Sequence, residues 1–532
     1  MILYLAGHQY RFAMEEGVVS FTGYRPDRTE EVGARFAPPE GDCILTRLTC
    51  SGGVATASAL VRMGGGSARG MSRAAVGDMS DYDRARAESH ALKIALYKAL
   101  TGLRGEPLPW GSLSGMRPAK LAARMIAELG SPAAARRALE KRYMVSRERA
   151  RLAVDAAVCG IEGREALPQG AVGLYVGVPF CPTRCAYCSF VSASVEKRGQ
   201  LVEPYTEALI GEIERRGELC RSLGLRVDTL YIGGGTPTTL SAGQLDRVLT
   251  ALEQRFDLSA LREYTVEAGR PDTIDSEKLA VLRGHGVGRV SVNPQSMRAE
   301  VLARAGRPHS PEDIEQAVEL ARRAGFECIN MDLIAGLPAD RADWFEESVR
   351  RVIALEPENI TVHTLALKHG AELAEGEAPS YERLRRSDAP EEETVCEMVE
   401  RGSALLAGAG YQPYYLYRQK YMAAGLENVG WTRPGFRSIY NVCIMEELCG
   451  IIALGCGGVS KVMLPDGGLK RMANPKNPEQ YISRGVAVWN DVDRKMARLI
   501  TEGAPARPDR IDRQIQRRKE NEKQNGTDSR TE

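Results

Sequence analysis

Cys181, Cys185 and Cys188 crowd into eight residues of the run Pro179-Phe180-Cys181-Pro182-Thr183-Arg184-Cys185-Ala186-Tyr187-Cys188, a C-x3-C-x2-C spacing. The rest of the twelve cysteines are scattered too thinly for a disulfide scaffold. Three thiolates on one short loop can surround one face of a cuboidal iron–sulfur cluster. No fourth cysteine stands nearby, so one iron would lack a protein ligand. Such an iron suits a chelating substrate better than simple electron transfer. Zinc is the competing ion, but structural zinc prefers four ligands in two paired knuckles. No Cys or His close in sequence completes that set, although a distant one would serve. Three buried, inert thiols are the remaining reading, and the interleaved Pro and aromatic residues count against it.

Other candidate groups recur where strands end. Gly233-Gly234-Gly235-Thr236-Pro237-Thr238 follows the apolar run Thr229–Ile232. Glycines there allow close backbone approach to a ligand, although such a triplet also makes an ordinary turn. Glu267 follows Glu263–Val266, Gln295 follows Arg289–Val292, and Asp332 interrupts Cys328–Ile334. Alone, Glu267 reads as a solvated carboxylate and Asp332 as a cap or turn residue. An acid inside an apolar strand nevertheless needs a partner.

The strands that would position these groups are Gly173–Val178, Thr229–Ile232, Glu263–Val266, Arg289–Val292, Cys328–Ile334 and Asn359–Thr364. Helical patterns separate them. Ser241 with Gln244 is a capping-box signature for a helix running to about Phe256. Another helix starts near Ser276, and a third opens at Ser310, Pro311 and Asp313 with the apolar stripe Ile314, Ala317, Val318 and Ala321. This alternation predicts a parallel sheet with helices outside, an α/β fold. Six units fall short of eightfold closure, so the expectation is a partial (β/α)6 TIM-like barrel. Its chemistry would sit on loops beyond the C-terminal strand ends.

The flanking regions read differently. At the N-terminus Ile2–Tyr10 and Val18–Tyr24 suggest a hairpin, Val54–Met63 another strand, and Asp81–Leu103 and Pro118–Leu129 helices. Pro107–Gly115 is a loop rich in turn residues. Beyond the barrel lie an aromatic run, Tyr411–Arg418, and an apolar glycine-rich strand, Ile451–Gly458. The expected domains are an N-terminal α+β domain at 1–165, the barrel at 166–375, a mixed α/β C-terminal cover at 376–500, and a tail at 501–532 whose polar composition predicts disorder.

Composition narrows the function classes. Of 532 residues, 43% are hydrophobic and 27% charged, the balance of a globular protein. Lys plus Arg total 71 against 70 Asp plus Glu, so no global field favours nucleic acid or an anionic membrane. No window approaches the roughly 20 apolar residues of a membrane span, and the start reads as a strand rather than a signal peptide. A cytoplasmic location is expected.

The cysteine loop after a first barrel strand resembles the fingerprint of the radical S-adenosylmethionine (SAM) superfamily. The resemblance implies a [4Fe–4S] cluster on Cys181, Cys185 and Cys188, its open iron chelated by the amino and carboxylate groups of SAM. One electron then cleaves SAM to methionine and a 5′-deoxyadenosyl radical. Tyr187 matches the family's aromatic position near the adenine. Gly234, Gly235 and Thr236 match its glycine-rich motif at the methionine end, and Glu267 its carboxylate against SAM.

Further strings resemble the oxygen-independent coproporphyrinogen III oxidase family. Tyr175 stands six residues before Cys181, Gln295 and Arg307 stand twelve apart, and Ile329–Pro338 resembles the family's strand bearing Asp332. Ala366 falls at a matching position on the last barrel strand. The resemblance implies that these positions contact SAM, as one or two molecules. Tyr414–Lys420, Glu427–Trp431, Ile439–Asn441 and Gly115–Lys120 are similar to the Z-type branch, the coproporphyrinogen dehydrogenases. The likeness covers most of the chain outside the tail. Cys188 is followed by Ser189-Phe190, where the best-studied oxidases carry a further nearby cysteine; haem-handling relatives share this departure.

The implied reaction converts two propionates of coproporphyrinogen III to the vinyls of protoporphyrinogen IX, through hydrogen abstraction at the β-carbon and loss of carbon dioxide and one electron. A flavodoxin- or ferredoxin-like electron donor would be needed. Arg418, Lys420, Arg433 and Arg437 are candidate propionate partners, although each taken alone reads more readily as an ordinary surface charge. The tyrosine-rich stretch can stack on a macrocycle or simply pack a core. Two other readings stand beside the enzyme: a haem-binding or haem-delivery protein without the dehydrogenase reaction, and a radical SAM enzyme acting on RNA. The near-neutral charge counts against the last.

Overall fold

The structure is a computed structural model that describes residues 1–22, 25–115, 117–189, 193–366, 389–419, 422, 425–465 and 467–502. It contains two compact units. The first comprises Met1–Pro118, Ser131–Val154 and Arg418–Glu427; the second comprises Ala119–Gly130, Asp155–Tyr417 and the chain from Asn428 onward.

In the first unit the strands are β1 (Ile2–Ala6), β2 (Arg28–Val32), β3 (Cys43–Ser51), β4 (Val54–Met63) and β5 (Gly66–Ala75). They form one sheet in the order β2-β1-β3-β4-β5. β1 runs parallel to both neighbours, and β3 to β5 form an antiparallel meander. Val54–Met63 and the helix at Asp81–Arg104 match the sequence expectation, and so does Pro118–Leu129, which straddles the boundary of the units. The expected hairpin does not form. Arg11–Thr22 is a helix, and Tyr24 lies outside the described residues. Met14, Val18 and Phe21 fall four and three residues apart, so a helix buries all three on one side against Leu92 and Leu96, which a strand cannot do.

The second unit holds β6 (Ala171–Val178), β7 (Phe180–Cys181), β8 (Ala193–Ser194), β9 (Arg226–Gly234), β10 (Glu263–Gly269), β11 (Arg289–Val292), β12 (Cys328–Ala335), β13 (Asn359–Thr364), β14 (Gln412–Tyr417), β15 (Asn428–Thr432), β16 (Gly450–Gly455), β17 (Val459–Met463) and β18 (Leu469–Ala473). Eleven of them make a single sheet, β14-β15-β13-β12-β11-β10-β9-β6-β16-β17-β18. The six expected strands are contiguous and parallel in chain order, with intervening helices as in a β/α partial barrel. β16 adds a further parallel strand beside β6, and antiparallel pairs extend both edges.

Strand register explains how polar groups sit in apolar strands. Tyr175 lies opposite Tyr231, Glu267 opposite Ser291, Ser291 opposite Asn330, and Asp332 opposite Thr361. Side chains alternate between faces with period two, so these groups share one face of the sheet. Leu174, Val176, Leu230, Ile232, Val266, Val290, Ile329, Met331, Leu333, Ile360 and Val362 occupy the other face, all buried. The capping box at Ser241 forms, with Gln244 Oε1 accepting from the Ser241 amide at 3.0 Å and Ser241 Oγ accepting from the Gln244 amide at 3.2 Å.

Candidate active site

The cysteine loop leaves the C-terminal end of β6 and is fixed on several sides. Phe180 is fully buried with its ring edge-on to Tyr205, centroids 5.3 Å apart. The Tyr205 hydroxyl donates to the Gly177 carbonyl. Ala186 N donates to Ala305 O at 3.1 Å, and Arg270 donates to Thr183 Oγ1 at 2.9 Å. Cys185 is buried and Cys181 and Cys188 are half-buried; all three are free of disulfides.

The glycine run packs directly on this loop. Gly235 N donates to Val178 O at 2.8 Å and Thr236 N to Phe180 O at 2.7 Å. Thr236 Oγ1 lies 3.6 Å from Cys181 Sγ. Gly234 has φ +119°, a conformation that side chains resist.

Around the loop, strand ends deliver the remaining candidates. Glu267 accepts from Tyr231 OH at 2.5 Å and from Gly234 N at 3.3 Å. Burial outweighs these donors and pushes its carboxyl up to about 7. Asp332 is half-buried, but His363, Asn330 and Thr361 more than offset the cost of that burial and hold its carboxyl below the ordinary range. Gln295 has φ +68°, strained for a non-glycine residue, and bridges to β12: its amide donates to Asp332 O and its carbonyl accepts from Ile334 N. Arg307 is buried and donates to Asn293 O at 2.5 Å. Although burial opposes its charge, Tyr187 and Cys185 beside it raise the guanidinium further. Tyr187 is held protonated by burial and packs against Val301, Ile334, Leu337 and Leu365. Tyr175, Tyr231 and Tyr440 form a triangle of near-parallel rings, with centroids 4.5–6.4 Å apart and interplanar angles of 17–19°. Ala366 is half-buried just past β13.

Of the four proposed propionate partners, Arg433 and Arg437 do not gather here. Arg418 belongs to the first unit, buried over Trp110, where it donates to Leu113 O at 2.6 Å. Burial pulls its guanidinium down to about 10. Arg433 donates its amide to Glu358 O, before β13 begins, and Arg437 pairs with Glu162. Arg437 adjoins Ser438, which binds Glu263 at the start of β10. Both therefore sit at the N-terminal strand ends, opposite the cysteine loop. Lys420 lies outside the described residues.

Several buried polar atoms near the loop have no partner within the chain: Ser291 Oγ, Asn293 Oδ1, Gln295 Oε1, Arg307 Nε and both ring nitrogens of His309. Unsatisfied buried groups are costly and mark a place where a polar ligand is bound. Among the described residues no three His, Cys, Asp or Glu side chains converge as ligands of a single ion do. A cluster asks less convergence, since each iron corner takes one thiolate. Of these groups, Ser291, Asn293, His309 and His363 escaped the sequence reading. Period two along β11 and β13 marks Ser291 and His363 as inward-facing; nothing local marks His309.

The parallel β/α sheet, the three-cysteine loop at its first strand and the orphaned polar groups beside it define a radical SAM domain. The family model described as "Radical SAM superfamily" matches residues 175–352. An oxygen-independent coproporphyrinogen-III oxidase-like protein, HemZ, of Bacillus subtilis is 37% identical over 412 residues, 76% of this chain and 81% of that protein. The heme chaperone HemW of Escherichia coli is 28% identical, covering 58% and 75%. An oxygen-independent coproporphyrinogen III oxidase of Pseudomonas aeruginosa is 35% identical, covering 55% and 62%. The chain belongs to the radical SAM superfamily and, within it, to the oxygen-independent coproporphyrinogen-III oxidase-like family. Membership implies a [4Fe–4S] cluster and SAM. No helix of the described residues is long and apolar enough to cross a membrane.

Proposed function

We propose that this protein is a coproporphyrinogen III dehydrogenase, converting two propionates to vinyls to give protoporphyrinogen IX. Similarity to relatives named for that substrate supports the reading. The observation that carries it is the set of unpartnered buried atoms, Ser291 Oγ, Asn293 Oδ1, Gln295 Oε1 and Arg307 Nε, next to three cysteines outside any disulfide. Cys181, Cys185 and Cys188 would hold the cluster, and Tyr175, Tyr187, Gly234, Gly235, Thr236, Glu267, Gln295, Arg307, Asp332 and Ala366 would contact SAM, as one or two molecules. Cluster and SAM together supply a carbon radical able to remove hydrogen from an unactivated C–H bond.

The chain's own part is positioning. Glu267, with its carboxyl near 7, ionises readily when a cation approaches its half-buried oxygens. Arg307 braces Tyr187 and Cys185 from behind, fixing the loop. The near-parallel rings of Tyr175 and Tyr231, backed by the buried Tyr440, offer an aromatic surface to a tetrapyrrole. A low-potential donor of the flavodoxin or ferredoxin class would reduce the site in the cytoplasm.

The test is anaerobic incubation of cluster-loaded protein with SAM, dithionite, coproporphyrinogen III and a one-electron acceptor. The reading expects methionine, 5′-deoxyadenosine, carbon dioxide and protoporphyrinogen. SAM cleavage without any vinyl product removes it. Ser189 after Cys188 and the likeness to a heme chaperone support a second reading, haem delivery. That one expects stoichiometric haem binding and no decarboxylation.

A further inference from the structure

The structure assigns His363 as a residue that binds a carboxylate of the substrate, through an imidazole oriented by Asp332. The inference rests on the tetrapyrrole reading above and specifies how one acid group is recognised.

His363 is the fifth residue of β13 and lies on the face that carries Asn359 and Thr361. That face also carries Asn330 and Asp332 of β12, Ser291 of β11, Glu267 of β10 and Tyr231 of β9. His363 Nε2 lies 3.8 Å from Asp332 Oδ2. Asp332 is fixed in turn by Asn330 Nδ2 at 2.9 Å. The His363 side chain keeps 29% of its surface accessible and Asp332 keeps 18%, so the pair lines open space rather than a sealed core.

The chemistry of the pair favours an anion. Asp332 holds one side of the ring and carries its negative charge, which the nearby His363 stabilises. With one nitrogen turned to a carboxylate, the ring presents Nδ1 as its second donor. Turned in this way, the imidazole is a directed hydrogen-bond donor beside a carboxylate. The alternatives on this face are poor anion hosts: Glu267 and Asp332 repel a carboxylate, and Tyr231 already donates to Glu267. Arg289, at the start of β11, donates to Phe436 O at 2.7 Å and is fully buried. Arg433 and Arg437 lie at the opposite ends of the strands. His363 thus supplies the hydrogen-bond donor that a propionate requires at the rim.

The test compares His363→Phe, His363→Gln and His363→Arg. In His363→Phe, the lost hydrogen bond should raise KM for coproporphyrinogen III by about tenfold. His363→Arg should recover much of that, and His363→Gln little. Substrate-free release of 5′-deoxyadenosine under dithionite, measured in each variant, reads any damage passed through Asp332 to the SAM site apart from substrate recognition. A second arm needs no turnover: Kd for coproporphyrin III by fluorescence quenching, with its tetramethyl ester as the uncharged control. The inference expects His363→Phe to weaken the acid and leave the ester unchanged. Equal KM and Kd in wild type and His363→Phe overturn it, as does equal weakening of acid and ester. If wild type binds coproporphyrin III but makes no vinyl product, the dehydrogenase reading fails while the binding arm still decides on His363. If wild type binds neither acid nor ester, both fall.

Discussion

A Cβ at Gly235 would stand 2.5 Å from the Phe180 carbonyl oxygen and 3.0 Å from Cys181 Sγ. Neither neighbour can retreat, because Phe180 is buried and pairs with β8, and Cys181 is a proposed cluster ligand. Gly235→Ala should therefore lose most bound iron and sulfide after anaerobic reconstitution, read by metal analysis and the visible absorbance of the cluster. Gly243→Ala is the control: nothing lies within 4 Å of its would-be Cβ, and iron loading should not change. Glu267 offers a pH prediction. Its carboxyl is raised to about 7 from an ordinary 4.5, chiefly by burial. A group raised in this way contributes most below its unfolded value, and that contribution disappears as pH climbs through the folded value. Relative to Glu267→Gln, the cluster-free wild-type chain should lose about 3 kcal/mol of stability between pH 4.5 and 8. Urea melts of both proteins across that range check the slope; no difference between them would show that the carboxyl is not perturbed.

At the scale of elements, the helix Ala242–Arg255 tests local chemistry. Its capping box satisfies two end amides reciprocally, so Ser241→Ala should cost about 1 kcal/mol in urea unfolding, with the slope unchanged. This signature was fully legible in the sequence, because Ser-x-x-Gln acts through neighbours alone. The six barrel strands were legible for a related reason: an apolar run bounded by turn residues and followed by a helical stripe has few other uses. Arg11–Thr22 was not, since four or five apolar residues in a short segment satisfy both periods until a partner surface chooses. The arginines near the aromatic run misled for a different reason. Arg418 and Arg433 are fifteen residues apart in sequence, but the first packs with Trp110 and the second sits below β13. Charge type identifies a propionate partner only when topology brings it to the correct end of the strands. His363 is the converse case, unremarkable by type and placed by alternation. The pair β14 and β15 shows what no local pattern foretells. A Cβ on Gly430 would meet the Tyr415 ring at 1.9 Å, so the ring lies flat over that backbone. Gly430→Ala should cost about 1–3 kcal/mol through overpacking, measured as a lower unfolding midpoint.

At the scale of the whole chain, residues nearly 300 apart close the β16 side of the sheet through one buried charge network. Glu212 and Arg216, on the helix Val202–Ser222, are both fully buried. Glu212 accepts from Arg216, Asn474 Nδ2, Gly455 N and Tyr481 OH, at 2.6–3.0 Å. Arg216 also pairs at 2.9 Å with Asp493, on the helix Pro478–Glu502. The same assembly supports the cysteine loop, since Tyr481 packs on Tyr205 and Tyr205 on Phe180. Arg216→Met should cost about 3–5 kcal/mol, because it strands Glu212 without its cation and leaves Asp493 paired with Arg215 alone. The cost should depend on pH. Burial already raises the Glu212 carboxyl despite Arg216, and removing the cation raises it further. A protonated Glu212 no longer needs that cation, so the deficit should shrink as pH falls toward the ordinary carboxylate range and grow as pH rises. Urea unfolding of wild type and Arg216→Met at pH 5 and 8 reads this directly. A deficit equal at both values would mean that Glu212 stays ionised without Arg216, held by Asn474, Tyr481 and the Gly455 amide alone.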